Sequence, residues 1–166
     1  KKMITVHIVC KNICYPIKKK TMTVKIKEDN IKRNLCYLLI ISTLIRCFIA
    51  AFFEFGNDEV YYWTYALYPD WSHFDHPPMV GLVMQLFSLN LTFTSEFALR
   101  LSSIIFMTIN TVLMYLIGKE VKDKQTGFYA ALLYTASIYS FVITGIFILP
   151  DTPLVLFTLL STLHFS

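Results

Sequence analysis

What this 166-residue sequence is shortest of is charge: Asp, Glu, Lys and Arg make up 16% of it, where soluble domains carry about a quarter. Hydrophobic residues make up 55%, arranged in long runs. One soluble core of this size cannot hide so much apolar surface, which excludes an ordinary globular domain. Cysteine is scarce too. Cys10, Cys14, Cys36 and Cys47 fall in the N-terminal stretch and the first apolar run, so no disulfide framework is indicated. His7, Cys10 and Cys14 match no common zinc spacing. Residues 1–21 lack the apolar h-region and small-residue cleavage site of a secretory signal. No repeat relates the two halves of the chain, as it does in many transporters.

The net charge of +4 hides an asymmetry. Residues 1–33 hold ten Lys or Arg against Glu28 and Asp29, a local charge of +8, which leaves −4 for the remainder. A basic stretch ahead of a first span marks the cytoplasmic side and meets anionic headgroups. No aromatic or groove-reading pattern accompanies it, so nucleic acid is not an expected partner. The chain opens on Lys1, and Met3 and Met22 are both candidate starts.

The expected division is a basic cytoplasmic tail over 1–34 and a transmembrane domain over 35–166. Apolar runs place spans at about 35–53, 98–117 and 127–149, with a fourth run at 152–166. The first is ~28 Å long at 1.5 Å per residue, close to a ~30 Å hydrocarbon core. The fourth reaches only ~22 Å, which predicts a span cut short. Arg46 interrupts the first span near its outer end, and the expectation is that it snorkels outward, with a lipid phosphate as the sharper alternative. Lys119, Lys122 and Lys124 put the short loop between the second and third spans on the cytoplasmic side. The apolar stretch Met79 to Leu89 is too short to cross, so it reads as a helix lying in the outer interface. The fold class is therefore all-α: a polytopic transmembrane helical protein whose large first extracytoplasmic loop, 54–97, contains juxtamembrane helices.

That loop gathers the chemistry. Glu54, Asp58 and Glu59 stand within six residues at the end of a span, where carboxylates are costly unless solvated, paired or bound to a metal. A carboxylate there can be a general base on a hydroxyl or a hard ligand for a divalent cation. Tyr61, Tyr62 and Trp63, with Tyr65, Tyr68 and Trp71 after them, form either an interfacial aromatic belt or the walls of a site for an amphipathic substrate. Asp75 lies between His73 and His76, just before Pro77-Pro78. Asp75 with His73 or His76 is a plausible metal-binding group, and His76 can otherwise contact a phosphate. Asp151, flanked by Pro150 and Pro153, returns an acid to the same membrane face, and Arg100 adds a cation suited either to anchoring or to a phosphate.

With Gly56-Asn57-Asp58-Glu59, Tyr61-Tyr62-Trp63, Asp75-His76-Pro77-Pro78, Arg100-Leu101-Ser102 and Pro150-Asp151-Thr152-Pro153 in this order, residues 35–166 resemble the start of a GT-C glycosyltransferase. The family in question contains the protein O-mannosyltransferases and the bacterial aminoarabinose-type lipid A transferases. The resemblance implies a polyprenyl-phosphate sugar donor and inverting transfer to an extracytoplasmic acceptor that is a lipid, a glycan or a protein. It implies Asp58 as general base, Glu59 as its acidic partner, Asp75 as an acid linked to a divalent metal, His76 as a phosphate contact and Asp151 as the acid of the second outer loop. It also implies a bacterial inner-membrane location, further spans and donor-binding residues elsewhere in the protein, and no activity for residues 1–166 alone. A transporter or a non-catalytic assembly subunit is the alternative.

Overall fold

The computed structural model describes residues 28–165, so most of the basic tail lies outside the described residues. All regular structure among those residues is helical. Helix α1 spans Glu28–Phe52, α2 Asn57–Leu67, α3 Met79–Phe87, α4 Glu96–Val121, α5 Lys124–Ala136, and α7 Asp151–Phe165. Between α5 and α7 lie a π-helical turn, Tyr139–Ile143, and the short α6, Thr144–Ile146. Two helices are long and apolar enough to cross a membrane, over Asn30–Phe52 and Glu96–Val121, and α5 with the segment Tyr139–Ile146 makes a third if the bent pair counts as one span.

Lipid, not water, is the solvent this arrangement suits. On α1 the buried residues Ser42, Arg46 and Ala50 recur every four positions, which places them on one helix face. The large apolar side chains Ile41, Leu44, Phe48 and Phe52 point out instead. A bundle in hydrocarbon gains nothing by hiding leucines, so small and polar residues line its contacts. Arg46 follows that face: it is fully buried within the bundle and does not snorkel outward as the sequence alone suggests.

Helix α4 is the centre of the bundle, packing against α1, α3, α5, α6 and α7. Ser95 caps its start by accepting from the Ala98 amide at 3.3 Å. The Asp123 carboxylate caps α5 in the same way, accepting from the Thr126 amide at 2.7 Å. The α4–α5 hairpin closes on two glycines. A Cβ on Gly118 would lie 2.9 Å from Gly127 Cα, and a Cβ on Gly127 would run into the Tyr115 carbonyl. Across the loop, α2 and α3 pack equally closely: a Cβ on Gly81 would sit 2.8 Å from the Tyr65 backbone. Gln85 then ties the pair together by donating to the Ala66 carbonyl at 2.8 Å.

The third span departs from the single helix expected over 127–149. It breaks between Ala136 and Tyr139, and its two halves meet at 73°. Ser137 turns extended (φ −67°, ψ 129°), with its amide donating to Leu133 and Tyr134 carbonyls of the preceding turn. The β-branched Ile138 and, beyond Tyr139-Ser140-Phe141, the run Val142-Ile143-Thr144 are poor helix propagators. Irregular backbone at membrane depth survives only when protein covers it. Here residues 136–139 stay exposed, and α1 and α4 pack instead on α6 just beyond, where Gly145 permits the approach: a Cβ there would lie 3.0 Å from Arg46 Nε and 3.2 Å from Met107 Cγ. The turn expected at Pro150–Pro153 is largely helical, because Pro153 sits in the first turn of α7, where its missing N–H costs nothing.

Replacing Gly127 by leucine should force α4 and α5 apart and cost about 1–3 kcal/mol, as overpacked contacts do. Thermal unfolding of the detergent-solubilised protein measures this, and an unchanged midpoint would mean that the hairpin contact is slack.

Candidate active site

The loop between α1 and α4 is built around one ion pair. Arg100, fully buried on the second turn of α4, meets Glu59 of α2 through Nε to Oε1 at 2.9 Å and Nη2 to Oε2 at 2.5 Å. Its other N–H groups donate to the carbonyls at the end of α1: Ala50 at 3.1 Å, Glu54 at 2.8 Å, and Phe53. A guanidinium has five N–H donors, and all five are used. Phe55 and Phe147 lie against it, with centroids 5.1 and 5.7 Å from Cζ. Glu59 is equally committed, accepting also from the Gly56 amide at 3.1 Å and the Ile148 amide at 3.2 Å.

Two sequence expectations change here. Arg100, taken as a possible phosphate ligand, has no donor left to offer one. Glu59, expected as an acidic partner at the reaction centre, is a buried structural anion. Asp58, its neighbour on α2, is exposed. Consecutive helical residues point about 100° apart, so one carboxylate faces the core while the next faces out.

Tyr62 is nearly buried, 8% exposed. Its phenol is held above its ordinary pKa by burial first, and then by the negative charges of Asp75, Asp58 and Asp151 with a contribution from Tyr61. Tyr61 stays exposed, whereas Tyr62 belongs to the core with Tyr65, Ala66, Val80, Met84, Leu99 and Ile148. Trp63 packs half-buried against that core. Of the three aromatics expected at a substrate, only Tyr61 presents an open face.

Asp75 is held by phenols. Tyr61 donates to Oδ1 at 2.8 Å, and Tyr65 donates to the same oxygen. These bonds, Tyr65 first, pull the Asp75 carboxyl below the ordinary carboxylate range, with His76 adding to the effect. The Tyr65 phenol is correspondingly raised by burial and by the Asp75 bond. Tyr65, in sequence one of the aromatic cluster, takes this role through its i, i+4 spacing from Tyr61, which puts both hydroxyls on one face.

The histidines divide. His73 stacks on the Tyr65 ring at 3.6 Å with its Nε2 buried and unpartnered among the described residues. His76 Nε2 lies 3.8 Å from Asp75 Oδ2, and its ring packs edge-on to Tyr62. Asp75 and His73 therefore do not form the metal pair anticipated: one Asp75 oxygen already accepts two phenols, and the His73 nitrogen is enclosed. No group of three or more His, Cys, Asp or Glu among the described residues is disposed to hold a metal ion. The residues present do not fit a divalent cation.

Two cavities open at this end of the bundle. One, of about 410 Å³, is lined by Gly56, Asn57, Asp58, Glu59, Ile143, Phe147 and Leu149. The other, of about 300 Å³, has Met79, Val80, Leu154 and Phe157 on its apolar walls, and His76 and Asp151 as its polar groups. Asp151 accepts from the Tyr139 hydroxyl at 2.6 Å.

Arg100→Met should destabilise the fold by about 3–5 kcal/mol, because it strands a buried carboxylate. Denaturant unfolding reads this directly. A stable variant that had lost only donor binding would return Arg100 to the substrate. The Asp75 bonds predict a pH dependence of definite sign. A depressed folded pKa contributes stability above the ordinary carboxylate range, lost as pH falls through the depressed value. Tyr65→Phe should move the Asp75 titration, followed by NMR of labelled aspartate, back up, and coincident curves would exclude the phenol as the cause.

The sequence profile of a family described as dolichyl-phosphate-mannose-protein mannosyltransferase matches residues 75–166, more than half of the chain. The match takes in Asp75, His76, Arg100 and Asp151, while Asp58 and Glu59 precede it. No curated protein and no solved structure matches the chain.

Proposed function

Because the chain belongs to the dolichyl-phosphate-mannose-protein mannosyltransferase family, and so to the membrane glycosyltransferases, we propose that Asp58 is the general base of a sugar transfer from a polyprenyl-phosphate donor. One observation carries this reading. Of the adjacent acids Asp58 and Glu59, the second is buried and consumed by Arg100, and the first is exposed on the wall of a cavity.

In this scheme the acceptor hydroxyl enters the cavity beside Asp58. The Asp58 carboxylate takes its proton, and the acceptor oxygen attacks the anomeric carbon. The bond from that carbon to the phosphate oxygen breaks, and its electron pair leaves with the polyprenyl phosphate. Charge then builds on the phosphate, where a nearby cation stabilises the transition state. His76 is the group suited to that role on the second cavity, whose apolar walls accept the first isoprene units while Asp151 faces the sugar. No step is routed through a metal ion. The acceptor is a lipid, glycan or protein on the extracytoplasmic side of what we read as a bacterial inner membrane. On this reading the α4–α5 lysines face the opposite side.

A transport reading has one observation in its favour, the broken third span, since discontinuous helices form many transporter sites. No acid lies at that break, and the exposed acids gather at the loop end of the bundle. An assembly-subunit reading would tolerate loss of Asp58.

Asp58→Asn in the full-length protein should lower sugar transfer by roughly 10²–10⁴-fold, the range of a lost general base. Assay with a radiolabelled polyprenyl-phosphate sugar measures it. Full activity in the Asn variant would remove Asp58 from the chemistry.

A further inference from the structure

The buried Arg46 is not used by the chemistry above, although an unpaired charge within a span is expensive. It lies among α1, α4 and the break in the third span. Its Nε donates to the Phe141 carbonyl at 3.4 Å, a group of the π-helical turn, and the guanidinium lies over the Phe141 ring, 4.7 Å from its centroid. Nη1 and Nη2 are enclosed and have no hydrogen-bond partner among the described residues. They are out of reach of a lipid headgroup. A Cβ at Gly145 would lie 3.0 Å from Arg46 Nε and 3.2 Å from Met107 Cγ, so the approach depends on glycine.

The turn that Arg46 touches is tied to the site at its other end. Tyr139, two residues before Phe141, donates to Asp151. The Thr152 hydroxyl donates to the Thr144 carbonyl at 3.1 Å, and the Ile148 amide reaches Glu59. Residues 139–152 are thus held by Arg46 on the bundle side and carry Asp151 on the loop side.

We propose that Arg46 is a positioning residue: by gripping the π-helical turn through Phe141, it fixes Tyr139 and, through Tyr139, the orientation of Asp151. This rests on Asp151 facing the donor sugar as read above. Lysine is a poor substitute, because a single ammonium cannot both stack on the ring and donate sideways as a guanidinium does.

The test uses the full-length protein in lipid nanodiscs, with Arg46→Lys, Tyr139→Phe and the double variant. Hydrogen exchange of amides 139–148 should accelerate about tenfold in Arg46→Lys, while α4 amides keep their protection. Unchanged exchange in 139–148 overturns the proposal. Turnover should fall about tenfold in each single variant with the donor KM unchanged, and the double variant should be no slower than the worse single, as for residues acting through one another. Multiplicative losses also overturn it. Phe141→Leu, which keeps the carbonyl and removes only the ring, provides a milder version of the same exchange test if Arg46→Lys fails to fold. An active protein with normal exchange in the variants rejects the positioning role alone. Faster exchange in Arg46→Lys, alongside a wild-type protein that transfers no sugar, would uphold the grip and reject the transferase reading.

Discussion

The structure depends on where a guanidinium can find five acceptors in a place with little water. Arg100 finds two on Glu59 and three on the carbonyls at the end of α1. A helix end leaves its last carbonyls without intrahelical partners, and in or near hydrocarbon each costs several kcal/mol if left alone. One side chain thereby caps α1, neutralises Glu59 and fastens α2 to α4. Glu59 completes the circuit by accepting from Gly56 and Ile148. An ion pair of this kind is weak as a source of net stability but strict about geometry, since removing either partner strands the other. That strictness holds Asp58 outward on the next helical position.

A division of labour among the polar groups follows. Buried charges in this protein are scaffold: Arg46, Glu59 and Arg100 are all nearly or fully enclosed. The groups open to a ligand, Asp58, Asp75, His76 and Asp151, sit at least partly exposed at the loop end. Tyr62 and Tyr65 lie between the two sets with their rings in the packing, Tyr65 donating to Asp75, while the exposed Tyr139 donates to Asp151. Tyrosine suits that boundary, because it has an apolar body and one polar atom to place.

Much of this is legible in the chain and some of it is not, for physical reasons. Span-length apolar runs are visible because hydrocarbon thickness sets a minimum length, and α1 and α4 lie where those runs fall. The stretch from Met79 is visible as a short helix for the same reason. Pairing across 41 residues is invisible to periodicity, so Glu59 and Arg100 look like reactive groups until they are seen to occupy each other. Snorkelling of Arg46 presumes a lipid-facing side, whereas its face is set by the four-residue spacing with Ser42 and Ala50. The break after Ala136 has only a weak signature, a serine followed by β-branched residues, and no proline. Spacing from Asp75 assigns no role to His73 or His76; the Tyr65 ring separates them by covering one.

The capping of α1 by Arg100 also bears on biogenesis. The Ala50, Phe53 and Glu54 carbonyls leave the ribosome roughly fifty residues before the arginine that satisfies them. During that interval α1 can enter the bilayer, but its exit end has to stay hydrated, and the loop cannot close over Glu59. Arrival of α4 in the membrane settles both together. The second long helix therefore acts as a checkpoint in synthesis: a nascent chain arrested before Arg100 would keep Glu59 charged and wet, with the future reaction chamber still unmade.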